Sequence, residues 1–250
     1  MSEITGGQSG VHIILQGKGG VGKSLSAILL AQYLLEKKVG LSCFDTDPVN
    51  QTFASFPALR ATHLNILINN RINEQAFDTL IEKILTDKSV YVVDNGASSF
   101  IPIGNYLIQN DVLSLLGDAG VPVFIHCVVT GGQALTDTLS GFDALAKMTT
   151  AQNIIIWKNE YFGEVTANGK SLEEMKAFVT HRDKVRGIVT LKEQNPDTFG
   201  RDLRKMLAAG LTFAEGIKSE QFFIMEKSRL HRMQRDIFSQ LDALDLNHGF

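Results

Sequence analysis

The stretch VHIILQGKGGVGKS at residues 11–24 decides the fold of this protein. Its first six residues are largely apolar and predict a short buried strand. The glycine-rich turn at residues 17–24 satisfies the pattern G-x-x-x-x-G-K-[ST], and residues 23–37 carry apolar side chains at helical spacing. A strand, this turn and a helix in direct succession predict a phosphate-binding loop.

The residue types of this loop suit a nucleoside triphosphate. Glycines let backbone N–H groups turn inward around phosphate oxygens, and the start of a helix adds a positive dipole. Lys23 is expected to neutralise the β- and γ-phosphates as a catalytic residue, and the Ser24 hydroxyl to coordinate Mg²⁺. We therefore expect ATP and Mg²⁺ as ligands. The loop residues predicted to contact the nucleotide are Gly17, Lys18, Gly19, Gly20, Val21, Gly22, Lys23, Ser24 and Leu25.

Strands and helices alternate along the rest of the chain. The predicted strands are continuously apolar and do not alternate with polar residues, so we expect both of their faces to be covered. This indicates an α/β fold with a mostly parallel central sheet and helices on both faces. We expect one P-loop NTPase domain at residues 11–250 after a flexible N-terminus at residues 1–10. Further strands are predicted at residues 41–44, 89–93, 121–129, 153–157 and 187–191, and helices at residues 74–86, 107–119, 133–148, 171–180, 201–209 and 219–243.

Three aspartates end two of the predicted strands. Asp94 follows the strand at residues 89–93, at the sheet edge where α/β proteins bind ligands, and is a candidate Mg²⁺ ligand. Asp45 and Asp47 end the strand before it, where Asp45 could hold the metal shell and Asp47 could position the attacking water. The alternative interpretation of all three is ordinary turn chemistry at strand ends.

Composition excludes several classes of protein. Apolar residues make up 44% and charged residues 20% of the 250 residues, as in ordinary globular proteins. The N-terminus lacks the apolar run of a signal peptide, and we expect a cytoplasmic protein with Cys43 and Cys127 as buried, reduced thiols. The net charge of −3 gives no global attraction to nucleic acid, but residues 181–235 carry 12 Lys and Arg against 7 Asp and Glu.

A second lysine, Lys18, begins the run KGGVGKS, which resembles the deviant Walker A motif of the ParA/MinD class, and DTDP at residues 45–48 resembles the D-x-D-P element of that class. The resemblance implies a SIMIBI-class fold and a homodimer with ATP at its interface. It also implies a catalytic role for Lys18, which would touch phosphate in the partner's site. Asn159 resembles the adenine-contacting asparagine of the class, although a plain turn asparagine is an open alternative.

A closer resemblance covers most of the chain. Seven segments, in order from residue 16 to residue 203, are similar to the TraL-type ATPases of conjugative transfer operons: QGKGGVGKS, DTDPVN, VVDNGASSF, VVTGGQAL, WKNEYFG, GKSLEEMKAF and FGRDL. This implies a plasmid or integrative-element setting. Val49 and the pair Asn95 and Gly96 depart from the partition-ATPase pattern in the expected switch segments, which leaves the rate and trigger of hydrolysis open.

The sequence thus predicts a slow, partner-stimulated ATPase that acts in conjugative transfer or its regulation. Two alternatives stay open: a non-catalytic nucleotide-dependent binding module and an ATP-dependent ligase of the dethiobiotin-synthetase type. Partners could include a relaxosome protein or non-specific DNA. The final helix is expected to pack on the sheet rather than on a membrane. The candidate DNA contacts are Arg201, Arg204, Arg232 and Arg235.

Overall fold

Seven parallel strands form the central sheet of the computed structural model, which describes residues 9–68 and 71–246. Most of the N-terminus predicted to be flexible, residues 1–8, lies outside the described residues. In chain order the strands are β1 Gly10–Ile14, β2 Leu41–Asp45, β3 Thr62–His63, β4 Leu67–Ile68, β5 Arg71–Ile72, β6 Val90–Asp94, β7 Val123–Thr130, β8 Ile154–Asn159, β9 Thr166–Ala167, β10 Lys170–Ser171 and β11 Val185–Leu191.

The strand order in the sheet is β11-β8-β7-β1-β6-β2-β3, so the strand that leads into the glycine-rich loop is central. The six predicted strands are all present, with ends shifted by up to two residues. Two short antiparallel pairs, β4 with β5 and β9 with β10, stand apart from the sheet. These pairs and β3 were not predicted, because two-residue strands leave no periodic pattern.

Helices cover both faces of the sheet, as predicted. They are α1 Lys23–Glu36, α2 Glu74–Thr86, α3 Phe100–Gln109, α4 Val112–Asp118, α5 Leu135–Met148, α6 Lys176–Thr180, α7 Phe199–Ala208, α8 Phe213–Lys218 and α9 Ile224–Asp242. One core contains side chains of α2 to α6, and the other contains side chains of α1 and of α7 to α9. Neighbouring residues of one strand, such as Ile13 and Ile14 of β1, enter opposite cores, which explains the continuously apolar strands.

Two predicted helices are interrupted. The prediction of one helix at residues 107–119 is wrong, because Asp111 adopts a left-handed conformation with φ of 47° between α3 and α4. The helix predicted at residues 171–180 is a 3-10 turn at Leu172–Glu174 followed by α6, because Met175 is extended. At the first break, Asp111 can adopt its left-handed conformation because aspartate tolerates that region better than most residues. Neither break carries the glycine or proline that would have indicated it from sequence.

The predicted helix at residues 219–243 begins later, at Ile224, and α8 before it was missed. Thr212 and Glu215 form a capping box at the start of α8, a T-x-x-E signal that the sequence carries. The expectation that the last helix packs on the sheet is met, because its apolar stripe is buried. That stripe consists of Leu230, Met233, Ile237, Leu241 and Leu244. Within the described ranges, no helix is long and apolar enough to cross a bilayer.

A chain of buried polar side chains crosses three neighbouring strands. The Trp157 indole Nε1 donates to His126 Nδ1 at 2.8 Å, and His126 Nε2 lies 2.7 Å from His12 Nδ1. Because indole can only donate, His126 accepts at Nδ1 and donates from Nε2 to His12. All three side chains are fully buried. These hydrogen bonds therefore join β8, β7 and β1 from within the core of the sheet.

We expect Trp157→Phe to lower the free energy of unfolding by about 2–4 kcal/mol, because it removes both volume and the buried donor to His126. Denaturant unfolding followed by circular dichroism measures this. The control is Tyr91→Phe, which removes a hydroxyl that donates to the half-buried Asp87. Because water can replace that partner, the control should cost less than about 1.5 kcal/mol. Equal losses of unfolding free energy in the two variants would show that the hydrogen bonds among Trp157, His126 and His12 add nothing to stability.

Candidate functional site

The glycine-rich loop lies between the carboxyl end of β1 and the start of α1. Gly20 and Gly22 have φ values of 73° and 105°, a region that other residues adopt only with strain. A Cβ at Gly22 would also lie 2.8 Å from the Asn159 amide nitrogen. Gly22 caps α1, and no side chain caps the helix there, so its first N–H groups are available to an anion.

Lys23 is folded back into this loop. Its Nζ donates to the carbonyl oxygen of Lys18 at 3.0 Å, and the residue is only 8% exposed. Burial lowers the pKa of Lys23, while the carboxylates of Asp94 and Asp47 oppose that shift. A buried cation at the start of α1, beside the glycine-rich loop, is arranged to meet phosphate oxygens.

Asp94 ends β6 and is the most unusual group of the site. It is 1% exposed, and neither carboxylate oxygen has a hydrogen-bond partner of ordinary geometry among the described residues. Burial raises its pKa to about 7, against the opposing effect of the nearby Ser24 hydroxyl. A buried carboxylate without full partners is costly, and two free oxygens beside a hydroxyl fit part of a Mg²⁺ shell.

Asp45 lies directly across from Asp94, because the two are register partners on β2 and β6. Its Oδ1 accepts from the backbone N–H of Asp47 at 3.1 Å and its Oδ2 from that of Ala54 at 3.0 Å. Burial raises the pKa of Asp45, and these two backbone donors lower it. Asp45 therefore fixes the loop after β2, and only its remaining lone pairs could serve a metal.

Asp47 lies in that loop and is half-buried. Its Oδ1 accepts from the backbone N–H groups of Val49 and Asn50, at 2.9 and 3.1 Å. A Cβ at Gly96 would lie 2.9 Å from the Asp47 carboxyl carbon, so glycine is what lets the segments after β2 and β6 touch. The structure thus brings Asp47 to the same place as Asp94 and Lys23.

Two polar residues that sequence reasoning did not place in the site join these segments. The Asn95 amide donates to the carbonyl oxygens of Ile14 and Val93, at 3.0 and 3.2 Å. The Thr46 hydroxyl lies 2.8 Å from Asn95 Oδ1 and 3.0 Å from the Asp94 carbonyl oxygen. Their positions directly beside Asp45 and Asp94 were the available signal.

Gln16 is a third such residue, just before the loop. Its amide nitrogen donates to the carbonyl oxygens of Val128 and Thr138, at 2.8 and 3.1 Å. A Cβ at Gly141 would lie 2.1 Å from the Gln16 side-chain oxygen, so α5 approaches this amide closely. Gln16 therefore anchors the entry of the loop to β7 and α5.

Asn159, at the end of β8, holds the glycine-rich loop in place through its side chain. Its Nδ2 donates to the Val21 carbonyl at 2.9 Å, and its Oδ1 accepts from the Tyr161 N–H at 3.2 Å. The same residue lines a cavity of about 400 Å³ between Leu25 and the segment at residues 190–196. That volume is within the range of ligand pockets. The structure thus brings Asn159, Leu25 and the segment at residues 190–196 around one space.

Lys18 has a different partner from the one implied for it. Its Nζ lies 2.8 Å from Asp137 Oδ2, in the first turn of α5 of the same chain. The side chains are 44% and 56% exposed, so this ion pair contributes at most about 1 kcal/mol. Lys18 is held weakly at the rim of the site.

The four arginines predicted to contact DNA lie on α7 and α9. Arg201 pairs with the buried Asp202, and Arg204 donates to the Pro196 carbonyl oxygen at 2.9 Å. Arg232 and Arg235 line a cleft of about 450 Å³ beside the segment at residues 192–194. DNA contact by these residues stays a prediction.

No group of three or more His, Cys, Asp and Glu in the described part of the chain could hold a metal by itself. Ser24, Asp45 and Asp94 supply a hydroxyl and two carboxylates. Mg²⁺ commonly uses one or two carboxylates together with phosphate oxygens and water. The donor set therefore fits Mg²⁺ delivered with a nucleotide.

A glycine-rich loop after the central strand of a parallel sheet, with helices on both faces, makes this a P-loop NTPase fold. The sequence matches no established family model. Two proteins from Escherichia coli, both named Protein TraL, are 46% and 42% identical over 234 and 233 residues. The matches cover 93% of this chain and 97% of each relative. The chain belongs to the TraL family, which confirms the resemblance read from its motifs.

Solved structures similar to this chain include a plasmid partition protein from Borrelia burgdorferi, with 19% identity and a TM-score of 0.45. That match covers 81% of this chain and 97% of the other. MinD complexed with Mg-ADP from Pyrococcus horikoshii has 13% identity and a TM-score of 0.46, with 96% and 100% of the chains covered. These likenesses are too distant to assign a function.

We expect Asp94→Asn to stabilise the nucleotide-free protein at pH 8. Folding raises the pKa of Asp94 from 3.8 to about 7, so the stability it contributes is complete below pH 4 and lost as the pH rises to 7. The free energy of unfolding of the variant should exceed that of the parent by about 4 kcal/mol at pH 8, and the two should match near pH 4. Denaturant titrations at both pH values test this.

The control for this prediction is Asp118→Asn at the exposed end of α4. It should change the free energy of unfolding by less than about 0.5 kcal/mol at either pH. A difference between Asp94→Asn and the parent that does not vary with pH would contradict the buried-charge explanation.

Proposed function

We propose that this protein binds and slowly hydrolyses ATP with Mg²⁺, and that ATP joins two copies into a homodimer that acts in conjugative transfer. The observation that carries the proposal is the buried carboxylate of Asp94 beside Ser24 and Lys23, for which the described residues supply no hydrogen-bond partner of ordinary geometry. This arrangement costs stability in the isolated chain, and a metal–triphosphate ligand would relieve that cost.

In this proposal the loop binds the phosphates through its backbone N–H groups, and Lys23 stabilises charge on the β- and γ-phosphates. Ser24 and Asp94 would hold Mg²⁺, with Asp45 at their side. The metal, when bound, would neutralise phosphate charge during hydrolysis. Asp47 would orient the attacking water with Oδ2, because its Oδ1 already accepts two backbone N–H groups.

The adenine would enter the cavity of about 400 Å³ beside Asn159. One Nδ2 hydrogen of Asn159 is used on the Val21 carbonyl oxygen, and its Oδ1 accepts from Tyr161. The second Nδ2 hydrogen and the spare lone pair of Oδ1 would be left for the base. Base binding and loop position would then be coupled through one side chain.

The dimer part of the proposal depends on Lys18. Its ion pair with Asp137 is exposed and therefore weak, so little free energy holds it in its own chain. The γ-phosphate of ATP bound to a second copy would be a stronger anionic partner for Lys18 than Asp137. Membership of the TraL family is the reason for placing this switch in conjugative transfer.

A non-catalytic binding module is the second candidate function. The backbone donors that occupy Asp45 and Asp47 favour it, because they restrict both carboxylates as bases. Phosphate release separates the two candidates, since only a hydrolase releases phosphate from ATP. Stimulation by duplex DNA that weakens with added salt would assign a role to the predicted arginine contacts.

We expect Lys23→Ala to weaken ATP binding at least about 100-fold, because it removes a buried cation aimed at phosphate. Calorimetry with ATP and Mg²⁺ measures the binding, and a phosphate-release assay should show that the variant has lost turnover. The matched control is Lys176→Ala on α6, an exposed lysine of the same size. Parent-like binding by Lys23→Ala would refute the phosphate site.

We expect the parent to dimerise with a non-hydrolysable ATP analogue, and Lys18→Ala to stay monomeric. Asp137→Asn should dimerise more readily, by up to about fivefold for each subunit, because it frees Lys18 from a pair worth at most about 1 kcal/mol. Light scattering after gel filtration measures all three. A mass that does not depend on nucleotide, or normal dimerisation of Lys18→Ala, would refute the sandwich dimer.

A further inference from the structure

One edge of the central sheet is only partly covered. The edge strand β3 pairs with β2 at Phe44 and Asp45 alone, so residues 41–43 extend beyond it. The Asp45 carbonyl oxygen accepts from Leu64 on the β3 side, whereas the Gly40 carbonyl oxygen accepts from Val90 of β6. Backbone groups alternate along a strand, so those of Leu41 and the N–H of Cys43 point away from β6.

A groove of about 450 Å³ runs along this open edge. Its apolar lining includes Leu35, which is 45% exposed at the rim, and the side chains of Val39, Leu41 and Leu59. An open strand edge beside an apolar groove is the arrangement by which proteins accept an added strand.

The charge of the groove is one-sided. Arg60 and Lys83 line it, and no carboxylate is found among the described residues that do so. The Lys83 ammonium lies 5.6 Å from the centre of the Phe44 ring, at the end of the groove near β3. An occupant that matches this lining carries apolar side chains and carboxylates.

We propose that this groove binds an extended acidic peptide of a partner protein, which adds to β2 as a short strand. Backbone hydrogen bonds to Leu41 and Cys43 would align the peptide. Its apolar side chains would lie on Leu35 and Leu59, and its carboxylates would pair with Arg60 and Lys83. A polyanion such as DNA would supply the charge but not the strand backbone.

The location also connects the peptide to the nucleotide site without occupying it. The groove borders the amino-terminal half of β2, and Asp45 ends the same strand. Asp45 holds Ala54, and the next turn, Pro57–Leu59, contributes Leu59 to the groove. Because the groove and the nucleotide site use different residues, peptide binding can be measured without ATP.

The test uses fluorescently labelled six-residue peptides and polarisation measurements on the full chain. The first peptide alternates valine and glutamate, the second alternates valine and lysine, and the third is the first with N-methylated backbone. We expect the glutamate peptide to bind at least tenfold more tightly than either of the others. The double variant R60E/K83E should reverse the preference to lysine, and the control K176E should behave like the parent.

Several outcomes would overturn the proposal. Equal binding of the glutamate and lysine peptides would remove the charge argument, and equal binding of the N-methylated peptide would remove the added strand. If K176E changed the peptide preference as much as R60E/K83E does, the peptides would be responding to the net charge of the protein and not to this groove. The edge of β2 could instead pair with a second copy of this chain. Light scattering without nucleotide would then show a dimer whose population changes in R60E/K83E, and the glutamate peptide would not bind. Circular dichroism confirms that each variant is folded.

Discussion

The rest of the structure depends on two opposite charges that the fold buries side by side. Lys23 begins α1 and Asp94 ends β6, and each is almost fully removed from water. Burial lowers the pKa of Lys23 and raises that of Asp94, so in both groups it disfavours the charged form. The apolar contacts of the two cores offset this cost, and in the proposed function an anionic ligand with a divalent cation would relieve it.

Around these charges, short polar contacts tie three strand ends together. Asn95 connects β6 to β1, Thr46 connects the loop after β2 to Asn95, and Asp45 holds that loop at Ala54. Gly96 allows the two loops to approach as closely as they do. A displacement at the carboxyl end of one strand would therefore be transmitted to the other two, which is what the proposed nucleotide-dependent switch requires.

The two edges of the sheet are covered differently. Helices α7 and α9 close the cavity beside Asn159, next to the edge strand β11, and the apolar stripe of α9 is buried. At the other edge, on the side of β2 away from β6, no strand of the described chain pairs with β2 beyond Phe44 and Asp45. Because Asp45 belongs to the same strand, the nucleotide site and this edge share one rigid element.

The sequence by itself determined the phosphate loop, the six long strands, the alternation of strands and helices, and the family, because these rest on local periodicity and on motif spacing. Only the tertiary structure decided that Asp45 faces Asp94, that Asn159 braces the loop and that Lys18 pairs with Asp137. It also decided the breaks at Asp111 and Met175 and the open edge of β2. The reason is physical: strand pairing and side-chain contacts join residues far apart in the chain, and burial of the two cores selects those partners.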